Sequence, residues 1–153
     1  MTHRSIVLTI LLTMLALASL SVGQELPLQY AVKFVCGKPD SRVVAPGMYF
    51  TSVNVHNPGR EAAGFLKKFA IALPGQKAGP VTKLIEAKLG SDEAFSIECR
   101  EIISRTHAPG FAEGFLVIES RVELDVVAVY TTAGSTGQVQ TMEIERVPVR
   151  RTP

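Results

Sequence analysis

Tryptophan is absent from the 153 residues, cysteine occurs twice and histidine three times. The missing indole removes the buried tryptophan around which antibody-type domains pack. Cys36 and Cys99 form no CxxC pair and have no histidine close by in sequence, so thiol catalysis and metal binding lack their usual spacing. Neither sign of charge dominates, with 16 Lys and Arg against 14 Asp and Glu. A nucleic-acid surface needs a clustered basic excess to release counterions. The one basic cluster, Arg146 to Arg151, reads as a solvated C-terminal tail over residues 146–153. Also missing are the Gly-x-Ser-x-Gly elbow, the phosphate loop, the dinucleotide fingerprint, HExxH and EF-hand spacing. No internal repeat or low-complexity segment occurs.

Against these absences stands one long apolar run. Residues 6–20, IVLTILLTMLALASL, follow Arg4, and Ser21 and Gly23 then place small residues three and one before Gln24. A basic start, an apolar stretch and small residues at the end make a secretory signal peptide over residues 1–23. A membrane-spanning helix needs about 20 apolar residues, so cleavage is expected rather than anchoring. No cysteine follows the run, which leaves a lipid anchor without an attachment point. Removing residues 1–23 from the 153 leaves 130, the size of one domain. The leader takes Arg4 and no acid with it, so 15 basic residues then face 14 acidic ones. The expected address is periplasmic or secreted. There an isolated cysteine pair is read first as a disulfide, Cys36 to Cys99. Chain entropy for such a loop contributes roughly 4 kcal/mol at most.

The domain, residues 24–145, is punctuated by Pro-Gly or Gly-Pro at residues 46–47, 58–59, 74–75, 79–80 and 109–110. Apolar runs of strand length lie between these turns, the pattern of an all-β domain. Tyr30, Val32, Phe34 and Cys36 alternate with Ala31, Lys33 and Val35, and Tyr49, Thr51, Val53 and Val55 alternate with Phe50, Ser52, Asn54 and His56. Each set predicts one inward face. Phe65, Phe69, Ile71 and Leu73 share parity, and Lys67 interrupts the row, which suggests a bulge or an edge. Residues 81–89 fit one strand, with a short helix as the alternative. Residues 94–103 alternate as a strand that turns Phe95, Ile97 and Cys99 inward. Residues 114–132 read as a hairpin of central strands around Glu119-Ser120-Arg121. Val126 to Val129 is apolar on both parities, as in a strand covered on both sides. Met142 and Ile144 alternate with Glu143 and Glu145 in a last strand. About eight strands favour an antiparallel β-sandwich, immunoglobulin-like or fibronectin-like, over a closed barrel.

Few residues suggest chemistry. His56 and His107 each sit beside a Pro-Gly turn, and with Met48 they define the one conceivable loop site for a metal or for catalysis, of the imidazole and thioether type that exported copper proteins use. Nothing in the spacing demands such a site. No metal, cofactor or catalytic residue is therefore assigned. Acidic pairs such as Asp92-Glu93, or Glu143 with Glu145, read as solvated polar faces. His56 and Asn57, at a strand end before Pro58-Gly59, are the polar residues chosen as a contact surface, although Asn in that position commonly serves the turn alone.

The segments YAVKFVCG (30–37), YFTSVNVHNPG (49–59), FSIECREI (95–102), GFLVIES (114–120) and LDVVAVYTT (124–132) resemble a family of small exported bacterial proteins of unknown function. The likeness spans nearly all of residues 24–145, implies a β-sandwich and brings no catalytic residues. More distantly, the order of strands resembles the β-sandwich of sensory rhodopsin transducers. Those proteins are cytosolic, whereas the leader here directs export, so no signalling role carries over. The expected function is a non-enzymatic module for binding, adhesion or envelope structure, contacting an unknown protein or envelope component. No nucleic-acid partner and no membrane span after cleavage are expected. The alternative is a periplasmic metal-binding protein or enzyme with its site around His56 and His107.

Overall fold

The computed structural model describes residues 26–40, 44–75, 77–134 and 136–152, and the expected signal peptide, residues 1–23, lies outside them. In chain order the elements are β1 (Leu28–Gly37), β2 (Met48–His56), β3 (Ala63–Ala72), β4 (Ala78–Val81), β5 (Ile85–Leu89), β6 (Ala94–Glu98), α1 (Cys99–Thr106), β7 (Phe111–Ser120), β8 (Asp125–Ala133), β9 (Val139–Arg146) and β10 (Arg150–Arg151). Strand pairing is antiparallel throughout. The path runs β4–β3–β7–β1–β2–β8–β9, with β5 on β3, β6 on β2 and β10 on β1.

One junction makes this sheet a sandwich. All ten residues of β1 pair with β7 and all nine of β2 with β8, but β1 and β2 share only Gly37 with Tyr49. The sheet turns over there, so β5, β3, β7 and β1 form one layer and β6, β2, β8 and β9 the other. Inward rows close the core: Tyr30, Val32, Phe34, Phe65, Phe69, Leu116 and Ile118 from the first layer meet Val53, Val55, Ile97, Val126 and Ala128 from the second, all 3% exposed or less. Gly114 lies between Phe34 and Ile71 across the strands. A Cβ there would come within 2.9 Å of the Phe34 ring and 2.1 Å of the Ala70 carbonyl oxygen.

The cysteines are bonded, with Cα atoms 5.4 Å apart. Their setting differs from two facing strands. Cys36 ends the inward row of β1, as alternation predicts, but β6 stops at Glu98 and Cys99 is the first residue of α1. The bridge thus ties the helix to the corner of the sandwich. The helix buries Ile102 completely and packs Ile103 on the core. Residues 81–89 likewise divide between β4 and β5.

Other expectations need correction. Lys67 marks neither an edge nor a bulge: β3 lies between β5 and β7 in unbroken register there, and the irregularity falls later, between Ala70 and Ala72. Lys67 instead points inward at 6% exposure. Its ammonium meets Glu101 of α1 at 2.8 Å and stands 5.2 Å from the Phe95 ring centre. Strands β7 and β8 are not a hairpin, since β7 pairs with β3 and β1 while β8 pairs with β2 and β9. Val127 and Val129 remain half-buried on an outer face. The basic segment is solvated at its arginines, as expected, but it is not a free tail. Arg146 ends β9, Val147 enters the core at 6% exposure, and Arg150 and Arg151 pair with Gln29 and Leu28.

The ion pair beneath α1 generates a prediction. Removing one partner strands a charge, whereas replacing both by apolar groups does not. Glu101→Ala should lower the unfolding free energy in urea by about 2–3 kcal/mol. The double change Lys67→Met with Glu101→Leu should recover most of that loss. A double variant as unstable as Glu101→Ala would contradict the assignment.

Candidate functional site

The second layer carries a continuous outer face. Its rows follow from the register: Phe50 beside Thr131 and Met142, then Ser52 beside Val129 and Ile144, then Asn54 beside Val127 and Arg146, and finally His56 beside Asp125. On the other side of β2, Glu98, Ser96 and Ala94 of β6 continue the same rows. Ser52 and Ser96 hydroxyls lie 2.8 Å apart. One end of this face is charged, and the other, towards Phe50 and Met142, is apolar.

Strand β9 forms the outer edge of this layer. It pairs with β8 on one side, is last in the strand path, and all eight of its residues are exposed. A strand flanking a packed layer ordinarily buries alternate residues; this one overhangs the core and shows both faces. Val139, Met142 and Ile144 are 68%, 65% and 64% exposed, with Phe50 at 45%. The existence of the strand followed from the alternation of Met142 and Ile144 with Glu143 and Glu145. Its exposure did not.

At the charged end, four side chains from separate elements meet. Imidazole Nε2 of His56 lies 3.0 Å from Asp92 and Nδ1 lies 3.2 Å from Asp125, whose other carboxylate oxygen accepts from Arg146 at 2.8 Å. Asp92 reaches the ring from a tight turn in which its own backbone is left-handed, φ 56. Asp and Asn adopt that conformation more readily than most residues. The hydrogen bond from Asp92, and next that from Asp125, raise the pKa of His56. Both ring nitrogens are engaged by carboxylates, so the protonated imidazole donates twice.

Of the two residues chosen for contact, His56 is partly exposed and Asn57 is not. Asn57 is 1% exposed. Its amide donates 2.8 Å bonds to the Glu61 and Gly90 carbonyls and its oxygen accepts from the Gly59 amide at 3.0 Å, so the side chain ties the turn after β2 to the turn after β5. The structure also separates Met48, His56 and His107. Met48 and His56 terminate β2 at opposite ends, eight residues or about 26 Å apart at strand rise. His107 caps the far end of α1 in a left-handed conformation, φ 54, and borders a cleft beside that helix. Among the described residues, no group of three or more His, Cys, Asp or Glu side chains is arranged to hold a metal ion, and no helix is long and apolar enough to cross a membrane. Asp92 and Asp125 lie 36 and 69 residues from His56, beyond any sequence motif.

No family model matches the chain, and no curated protein matches it. The fold is similar to that in the crystal structure of Thermotoga maritima 1070, with a TM-score of 0.53 over 82% of this chain and 95% of that one. The sequences are 11% identical, so the likeness concerns the fold alone.

The His56 cluster has a pH signature. A folded-state pKa raised above about 6.5, the unperturbed value, means that the ion pairs contribute their full stability below that pH. The contribution is lost as pH rises through the raised folded value. An NMR titration of the His56 ring should give a midpoint above 6.5, and Asp92→Asn should lower it more than Asp125→Asn. A midpoint at or below 6.5 in the unmodified protein would contradict the geometry.

Proposed function

We propose that this chain is an exported, non-enzymatic contact module, serving binding, adhesion or envelope structure in the periplasm or outside the cell. One observation carries the proposal: among the described residues β9 pairs with β8 alone, which leaves an open sheet edge with Val139, Met142 and Ile144 exposed. An exposed strand edge is a template on which another chain can add a strand, its backbone groups supplying affinity and alternate side chains supplying selectivity. Glu143, Glu145 and Arg146 give the edge charges that discourage indiscriminate pairing.

The address rests on the apolar leader and the disulfide. Residues 6–20 carry the export signal, and a bonded Cys36–Cys99 pair suits an oxidising compartment. The resemblance of the segments around Tyr30, Tyr49, Phe95 and Gly114 to small exported bacterial proteins agrees with this address. The partner is an unknown protein or envelope component. His56 belongs to the charged border of the contact face, and Asn57 supports the turn beneath it.

A photoreactive amino acid at Ile144, in the chain expressed in its source organism, tests the edge. Irradiation should yield one discrete crosslinked species, and the same group at Glu61 should yield none. Adding Met142→Lys to the photoreactive chain should remove the species without moving the melting temperature. Crosslinking from both positions, or from neither, would refute a β9 contact.

A further inference from the structure

A cleft of about 700 Å³ opens between α1 and the adjoining β5 and β6 segments. Its helical wall is one face of α1, made of Arg100, Glu101, Ser104 and Arg105. At 100° per residue these four fall within one arc. Cys99, Ile102 and Ile103 occupy the opposite arc and pack on the core. The remaining wall is built by Thr82, Lys83 and Ile85 from the β4–β5 side, by Ser96 and Glu98 from β6, and by His107 at the helix end.

Cations without an ion-pair partner occur elsewhere on the domain, Lys88 and Arg121 among them, but three of them line this one cleft. Lys33, Lys68 and Arg146 are each matched to a carboxylate within 2.9 Å. Glu101, the nearer of the two cleft acids to the core, is already neutralised by Lys67 from below at 2.8 Å. Among the described residues, Lys83, Arg100 and Arg105 have no ion-pair partner, and Glu98 alone opposes them. A chain whose overall charge is close to zero thus gathers unpaired cations around one concavity. The volume suits a small organic ligand, and two guanidinium groups offer paired donors of the geometry that carboxylates and phosphates accept. Hydroxyls of Ser96 and Ser104 add neutral donors at the same wall.

We infer that the α1 cleft binds a small multivalent oxyanion, a molecule with two or more closely spaced carboxylate or phosphate groups, held by Arg100, Arg105 and Lys83. This site is independent of the β9 edge, so either could fail without the other. Glu98 orients the ligand by repelling its anionic groups towards the arginines. The lower layer contributes indirectly: without Lys67 the charge of Glu101 would cancel that of Arg105 beside it.

Isothermal titration of the exported chain, disulfide formed, with citrate and with pyrophosphate tests the assignment and separates carboxylate from phosphate preference. Sodium chloride at matched ionic strength is the blank. At least one of the two anions should bind with saturable heat at about one per chain. Arg100→Ser with Arg105→Ser, both exposed positions, should weaken that binding at least tenfold, while Arg121→Ser, beside a different pocket, should leave it unchanged. Absence of saturable heat for both anions would overturn the inference. So would equal weakening by Arg121→Ser, the mark of general charge screening. Circular dichroism of the double variant should match the parent; if its helical signal is lost, the titration is repeated with Lys83→Ser, outside the helix, where at least threefold weaker binding supports the inference and unchanged binding overturns it.

Discussion

Strands β1 and β2 share a single residue pair, Gly37 with Tyr49, and the two layers of the sandwich are held in relation to each other around that corner. Two further links reinforce it from inside. The Thr51 hydroxyl donates to the Val35 carbonyl and accepts from the Val35 amide, each at 3.0 Å, and is itself 2% exposed. Next to it, Cys36 is bonded to Cys99. Gly37 makes the turn with φ +94, and a Cβ there would lie 2.0 Å from the Gly110 carbonyl oxygen. A larger residue would push the loop before β7 away from the corner.

The corner places the helix, and the helix places the charged features. Because the disulfide holds the first turn of α1, the segment after β6 cannot continue as an edge strand along β2. It winds instead over the end of the core, covering it with Ile102 and Ile103. That position sets Glu101 above the inward ammonium of Lys67. Phe95 stacks on Phe65 at 5.7 Å between ring centres and provides the aromatic surface against which Lys67 lies. The remaining face of the helix then borders the cleft. The β9 edge has a different origin: β8 needs a partner to complete its hydrogen bonds, but the core beneath is already filled by Val126 and Ala128. The last strand therefore satisfies the backbone without gaining cover.

Strands whose two faces differ in environment were legible from alternation. The inward sets of β1 and β2 are Tyr30, Val32, Phe34 and Cys36, and Thr51, Val53 and Val55, as period two requires, while Tyr49 of the same row stays half-buried at the strand's start. The switch from β6 to α1 was hidden because Cys99 fits both periods, ending Phe95-Ile97-Cys99 and beginning Cys99-Ile102-Ile103. Glu98 also makes no side-chain cap bond, so the usual start signal is missing. Lysines are seldom buried, and the partner that permits it for Lys67 comes from another element. The hairpin over residues 114–132 failed for a topological reason: the short link after Ser120 crosses between layers, with the Leu124 amide donating to the Tyr30 hydroxyl at 2.8 Å. The candidate site was only partly visible, since His56 stands out in the sequence while its carboxylates, the exposed β9 edge and the helical cleft all arise from long-range pairing.

Hydrogen exchange of the oxidised and the reduced protein, read by mass spectrometry over residues 99–106, tests the central claim that the Cys36–Cys99 bond holds α1 at the corner. Reduction should sharply lower protection in that helix while the amides of β1 and β7 keep theirs, because their ladder is complete without the bridge. Unchanged protection of the helix after reduction would contradict the claim and leave packing alone to place α1.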